Sequence, residues 1–192
     1  SCTCSTSNKG IFNATGVFAD DILKMDDPNQ ENKIRSSQGV HLILDQSFLP
    51  GDDAIMIPKT DDGRVLFIVP WQNKLVVGTT DTLLEEHKLV PIALEQEIEF
   101  ILNTANRYLT KTVTRKDVLS IFAGLRPLAA PQEGSEKTKE ISRSHKIIVT
   151  PSGLISIIGG KWTTYRKMAQ DTVNKAISLR KLPRKRCKTN GI

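Results

Sequence analysis

Between residues 41 and 78 the chain carries short apolar runs at 41–44, 54–57, 65–69 and 74–78, and this spacing constrains its fold more than any other feature. Each run is rich in Val, Ile and Leu and too short for a stable helix. The separators are Pro50-Gly51-Asp52-Asp53, Asp61-Asp62-Gly63 and Trp71-Gln72-Asn73, which is turn chemistry. Parallel neighbours would need crossovers of about a dozen residues. The expectation is therefore an antiparallel meander.

The flanking segments supply the remaining elements. Residues 11–16 read as a short strand delivered into Gly16, and 17–23 as a helix with apolar residues three to five apart. Residues 26–35 are almost wholly polar and read as a closing loop. From Pro91 to Tyr108 the apolar set Ile92, Leu94, Ile98, Ile101, Leu102, Ala105 and Tyr108 recurs mostly at three and four, which predicts an amphipathic helix packed on the sheet. Further strands are predicted at 118–128, 146–150 and 154–158, the last two making a hairpin around Pro151-Ser152-Gly153. A helix over 162–179 follows, with Trp162, Tyr165, Met168, Ala169, Val173, Ala176 and Ile177 on its apolar stripe. The fold class expected is α+β, with a largely antiparallel sheet.

Composition narrows the function classes. With 39% hydrophobic and 25% charged residues over 192 positions, the chain is neither disordered nor fibrous. The net charge of +6 is uneven: residues 161–192 hold ten Lys and Arg against one acid, Asp171, whereas acids outnumber bases before residue 161. A nucleic-acid partner therefore loses its support, and 181–192 reads as a basic linker. No apolar stretch approaches the roughly 20 residues of a membrane span. Cys2, Cys4 and Cys187 form no disulfide framework, which fits a reducing compartment, and Cys2-x-Cys4 lacks the spacing of a zinc site, so no metal is expected. Residues 1–10 read as a loose or remnant terminus and 11–180 as the folded domain.

Some positions could carry chemistry. In the segment Ile157 to Arg166 an apolar strand ends at Gly159-Gly160 and a helix begins after Lys161. Residues without Cβ let backbone approach a flat ring or a phosphate, and the unpaired N–H groups of a helix start point at it. The same pattern also serves as a plain turn. Asn13-Ala14-Thr15-Gly16 is a second strand-to-glycine junction, with Thr15 placed to cap the following helix. Arg126, in the apolar segment Gly124-Leu125-Arg126-Pro127-Leu128, needs an anionic partner: either a substrate phosphate or carboxylate, or an internal carboxylate such as Asp81. His41 opens an apolar strand and is either a packed core residue or a general base. His87 and His145 lie beside charges and read as surface.

Taken in order, Asn13-Ala14-Thr15-Gly16, Gly39-Val40-His41, Gly124-Leu125-Arg126-Pro127-Leu128 and the run from Gly159 to Arg166 resemble the flavin-dependent glycerol-3-phosphate dehydrogenases. Val69-Pro70-Trp71 and Gly78-Thr79-Thr80-Asp81 share in the resemblance, which spans about residues 11–180. It implies FAD as cofactor and partial flavin-binding elements of the D-amino-acid oxidase and glycine oxidase type. The reaction implied is oxidation of sn-glycerol 3-phosphate to dihydroxyacetone phosphate by hydride transfer to FAD, with electrons passing to a quinone. Location at the cytoplasmic (inner) face of a membrane, peripherally, goes with it. On this resemblance His41, Arg126 and Lys161 are the catalytic and substrate-binding residues, and Ala14, Thr15, Gly16, Gly159, Gly160, Lys161, Trp162 and Thr163 contact the cofactor.

The family's Gly-x-Gly-x-x-Gly turn, which holds the FAD pyrophosphate, does not occur in this sequence. The expectation is thus a fragment of such an enzyme, lacking that segment and the helical C-terminal domain. Two further readings go with it: an oxidase that returns electrons to oxygen, and a non-catalytic phosphate-binding or interaction fragment that cannot retain FAD. A chain so cut should also leave apolar faces exposed.

Overall fold

The computed structural model describes residues 10–61, 63–86, 88–130 and 144–189; the readings of Cys2, Cys4 and His87 fall outside them. In chain order the elements are β1 (Phe12–Asn13), α1 (Ala19–Asp26), β2 (Ile34–Asp45), β3 (Ile55–Ile57), β4 (Leu66–Trp71), β5 (Lys74–Gly78), β6 (Thr82–Leu84), α2 (Glu95–Ala105), β7 (Ser120–Ala129), β8 (His145–Val149), β9 (Ile155–Gly159) and α3 (Tyr165–Arg180). The mixture of sheets and helices is the α+β class expected. The chain divides into two compact units, one from Ser1–Arg35 with Pro127–Ile192 and the other Ser36–Arg126.

The 36–126 unit is built on the meander. Strands β3, β4 and β5 pair antiparallel in sequence, β5 pairs antiparallel with β2, and β6 and β7 also pair with β2. Gln72 and Asn73 close the β4–β5 hairpin, both at positive φ, a conformation asparagine tolerates and whose twist matches the flanking strands. Because side chains alternate along a strand, Val40, Leu42, Leu44, Leu66, Ile68, Leu75 and Val77 all point to one face. There they form a core with Ile98, Ile101, Leu102 and Ala105 of α2. Burying each such aliphatic side chain contributes about 1.5–3 kcal/mol, so this layer dominates the unit's stability.

The alternate positions of the same strands make the opposite face. Register places Met56 beside Phe67, Phe67 beside Gly78, and Gly78 beside His41. Met56 and Phe67 are exposed, and this row leads across the sheet to the candidate site.

Two elements differ from the sequence reading. Residues 34 and 35 belong to β2 rather than to the closing loop, so that strand begins well before the predicted run at 41–44, and β6 is a further strand. The polar set Ser36, Ser37 and Gln38 is buried, and β6 covers it, with Ser36, Ser37 and Gln38 opposite Leu84, Leu83 and Thr82. A polar stretch enters a sheet interior when its side chains find hydrogen-bond partners, a condition that hydrophobic periodicity does not register. The predicted helix over 91–108 is confined to Glu95–Ala105.

In the other unit a three-stranded sheet has the order β1-β9-β8. Strands β8 and β9 make the predicted hairpin, with Gly153 at positive φ in its turn. Strand β1 joins β9 in parallel, Phe12 opposite Ile155 and Asn13 opposite Ser156. Asp20 ties α1 to the chain that follows it by accepting from the backbone N–H groups of Lys33 and Ile34. Helix α3 buries Thr172 and Ala176, whereas Trp162, Tyr165, Ala169 and Val173 of the predicted apolar stripe are exposed. No helix among the described residues is long and apolar enough to cross a membrane.

Candidate functional site

The outer sheet face of the 36–126 unit brings His41 and Arg126 together. The Arg126 Nη1 donates to the Thr80 carbonyl at 3.1 Å and Nη2 to Thr79 Oγ1 at 3.0 Å. Asp81 Oδ1 lies 3.5 Å from Nη1, so the internal carboxylate weighed against a ligand is present. Ser37 donates to that same Asp81 oxygen and itself lies 3.5 Å from Nη1. These contacts fix the guanidinium from the strand side, while a third of the side chain stays exposed. A held, partly exposed guanidinium is suited to bidentate recognition of a phosphate or carboxylate.

The His41 imidazole stacks on Phe122, with ring centroids 5.0 Å apart and planes within 10°. Burial, and then the nearby Arg126 charge, hold its pKa below the ordinary 6.5. The ring is accordingly neutral at pH 7 and can accept a proton. Both groups lie across glycines. A Cβ at Gly78 would sit 2.5 Å from His41 Cδ2, and one at Gly39 would sit 2.7 Å from Arg126 Cζ. Neither ring nor guanidinium could occupy its place with a larger residue beneath it.

Behind this face lies a cluster that the sequence reading missed. Glu97, buried at 3% exposure, accepts from Gln38 Nε2 at 2.7 Å, Thr80 Oγ1 at 2.8 Å, Thr82 Oγ1 at 2.7 Å and the Leu94 N–H at 3.0 Å. The last bond caps α2, whose first turn favours a negative charge. Burial on its own raises the carboxyl pKa, and the four donors more than reverse this, leaving it below its ordinary value. Thr80 Oγ1 accepts in turn from the Val40 N–H. The segment whose Thr79 and Thr80 hold Arg126 is thus pinned to β2 and α2. Glutamate at the third position of a helix following a Pro-containing segment was the available signal for the cap; its buried partners carry no local signal.

The remaining predicted residues belong to the other unit. Strand β1 runs into Ala14, Thr15 and Gly16, and its parallel neighbour β9 runs into Gly159, Gly160 and Lys161. Both glycine turns therefore leave the carboxyl ends of adjacent parallel strands, where open α/β sheets place their ligands. Gly16, Gly159 and Gly160 all have positive φ, so each turn requires glycine whatever it faces. Gly160 also packs tightly, since a Cβ there would sit 2.5 Å from Met168 Sδ, whereas one at Gly16 would meet nothing within 4 Å. Lys161, Trp162 and Thr163 are exposed, and Trp162 stacks loosely on Tyr165 at 6.0 Å.

Two local details correct the sequence reading. Thr15 makes no side-chain cap. Asn13 organises the turn instead: its buried amide donates to the Ala19 carbonyl and Ser156 Oγ, and its carbonyl oxygen accepts from Thr15 Oγ1 at 2.8 Å. His145 is not a free surface residue, because its Nε2 lies 3.1 Å from Asp171 Oδ2, and Asp171 also accepts from Lys167.

Comparison with known proteins gives consistent matches. The DAO family, FAD dependent oxidoreductases, matches residues 2–166. The mitochondrial glycerol-3-phosphate dehydrogenase of Mesocricetus auratus is 42% identical over 186 residues, covering 96% of this chain and 25% of that protein. The chain thus spans about a quarter of the length of such curated relatives. Among solved structures, the glycerol-3-phosphate dehydrogenase from Bacillus halodurans complexed with FAD aligns with a TM-score of 0.72 and 37% identity, over 88% of this chain and 32% of that one. The L-alpha-glycerophosphate oxidase of Mycoplasma pneumoniae shares the fold at a TM-score of 0.62 and 16% identity, over 94% and 45%.

Proposed function

The chain belongs to the family of FAD dependent oxidoreductases, and from that premise we propose that it carries the substrate-facing surface, and part of the flavin-facing surface, of an enzyme oxidising sn-glycerol 3-phosphate to dihydroxyacetone phosphate. The observation that carries this reading is the pairing of a held guanidinium, Arg126, with a neutral imidazole, His41, on one exposed sheet face. An anionic polyol needs both: a cation for its phosphate and a base for its hydroxyl.

In this reading Arg126 binds substrate oxygens and His41 takes the C2 hydroxyl proton. Loss of that proton favours departure of the C2 hydrogen as hydride, leaving a carbonyl at C2. FAD, when bound, supplies the hydride acceptor. The other unit fits such a group: its two glycine turns leave adjacent parallel strand ends, and Gly16 presents bare backbone to open space. Ala14, Thr15, Gly16, Gly159, Gly160, Trp162 and Thr163 would hold the cofactor, with Lys161 adding positive charge where reduction builds negative charge. The further acceptor is a quinone, and the complete enzyme sits peripherally at a membrane surface; the mitochondrial location in the names of the curated relatives supports a respiratory acceptor.

The test uses the purified chain with FAD added, titrated with glycerol 3-phosphate and, separately, glycerol. Saturable binding of the phosphate ester but not of glycerol, weakened at least tenfold in Arg126→Met, is the expected result. Equal, weak binding of both ligands would sink the reading. Bleaching of the visible flavin band by glycerol 3-phosphate under argon reports the redox step, and oxygen uptake on re-aeration separates an oxidase from a dehydrogenase.

A further inference from the structure

Three glycines share the outer sheet face around His41 and Arg126, and they differ in what covers them. Gly78 lies beneath the His41 ring and Gly39 beneath the Arg126 guanidinium. Gly124, the third, lies on β7 between Phe122 and Arg126, which alternation puts on its own face. Contacts along β7 and β2 run in opposite directions: the Leu119 N–H reaches the Ile43 carbonyl, Phe122 stacks on His41, and Arg126 lies over Gly39 and near Ser37. Gly124 therefore flanks the imidazole and the guanidinium on this face, from the strand beside β2.

Among the described residues nothing asks for glycine at this position. A Cβ there would meet no heavy atom within 4 Å, and its φ is outside the left-handed region, unlike that of Gly159 or Gly160. Glycine in a strand interior weakens the strand, through lost packing and the greater chain entropy of the unfolded state. A residue that costs stability and relieves no clash in the protein leaves space for something else.

We propose that Gly124 sets substrate specificity: its missing side chain leaves the space beside Arg126 and His41 that the carbon chain of a short phosphorylated polyol occupies. The inference rests on the reading of the site given above and deepens it. Gly39, beneath the guanidinium, and His41 are two residues apart on β2, about 7 Å by strand rise, so a small anionic polyol reaches both groups. A methyl group at 124 would fill part of that space while touching neither side chain. Longer polyol phosphates and bulkier anions would be rejected first.

The experiment compares wild type, Gly124→Ala, Gly124→Val and Arg126→Met, each in the full chain with FAD added. Urea unfolding and titration with glycerol 3-phosphate are measured for each. Gly124→Ala is expected to unfold at the same or a higher urea concentration than wild type while binding glycerol 3-phosphate at least tenfold more weakly, and Gly124→Val more weakly still. A lowered unfolding midpoint in Gly124→Ala would show that the fold itself requires the glycine and overturn the proposal. Binding within twofold of wild type in Gly124→Ala, with Arg126→Met impaired, would overturn the role of Gly124 and leave the function standing. Absence of binding in wild type would overturn both.

Discussion

Replacing Glu97 tests the load carried by the buried cluster behind the site. In Glu97→Ala the donors on Gln38, Thr80, Thr82 and the Leu94 backbone lose their shared acceptor. Gln38 keeps a second acceptor, the Ile92 carbonyl. A buried donor left unsatisfied costs about 1–3 kcal/mol, and relaxation recovers part of the sum, so a loss of about 4 kcal/mol is expected. With a urea dependence of about 2 kcal/mol/M the midpoint falls by about 2 M. Far-UV circular dichroism, together with Trp71 fluorescence in a Trp162→Phe background, follows the 36–126 unit. Glu97→Gln keeps one acceptor oxygen and should lose about half as much. The pH dependence gives an independent readout. Because the folded carboxyl has a pKa below its ordinary 4.5, its contribution is complete above the unfolded value and is lost as pH falls through the folded one. Wild type should therefore lose stability below about pH 4.5 by an increment that Glu97→Gln lacks. A midpoint shift under about 0.5 M in Glu97→Ala, roughly 1 kcal/mol at that slope, would refute the assignment, as would an unchanged acid dependence in Glu97→Gln.

Other consequences are as direct. The His41 imidazole should titrate below 6.5 by proton NMR, and Arg126→Met should move it part of the way back up, since burial contributes more to the shift than charge; a midpoint at or above 6.5 would contradict the burial. The same depressed pKa means that the unfolded chain binds the proton first, so this group's contribution declines as pH drops below about 6.5. Gly78→Ala puts a methyl group 2.5 Å from His41 Cδ2 and 2.8 Å from the Val40 carbonyl oxygen, and should cost about 1–3 kcal/mol in urea unfolding while displacing the His41 ring resonances. Asn13→Ala removes donors to the Ala19 carbonyl and Ser156 and should destabilise the other unit by about 2–3 kcal/mol, read from Trp162 fluorescence; an unchanged transition would mean that water replaces the amide.

The meander was legible because its physics is local. Turn residues at 50–53 and 71–73 and the unbroken apolar run at 65–69 are recorded within a few residues of where they act. The first half of β2 was not, because Ser36, Ser37 and Gln38 are buried by partners 40 to 60 positions away. Helix α3 misled for a related reason. Of its apolar stripe the structure buries Ala176 but leaves Tyr165, Ala169 and Val173 exposed, while the polar Thr172 is buried, its hydroxyl returned to the Met168 carbonyl. Trp162 is left 88% exposed. The arginine and the histidine could be singled out from sequence. Their conjunction on one sheet face depends on the register of β2, β5 and β7.

The glycines show why such a site resists reading from sequence. Gly16, Gly159 and Gly160 are fixed by backbone conformation, so their presence follows from the turns themselves. Gly39 and Gly78 are fixed by side chains lying across them. Gly124 answers to neither cause. In sequence all are the same letter, and only backbone conformation and the atoms around a notional Cβ separate a glycine the fold needs from one a ligand needs. The two classes respond oppositely to alanine: at Gly78 stability falls because the added carbon has nowhere to go, whereas at Gly124 stability holds and binding falls. Comparing those two substitutions in one protein therefore asks whether the space above this sheet face serves the chain or its substrate.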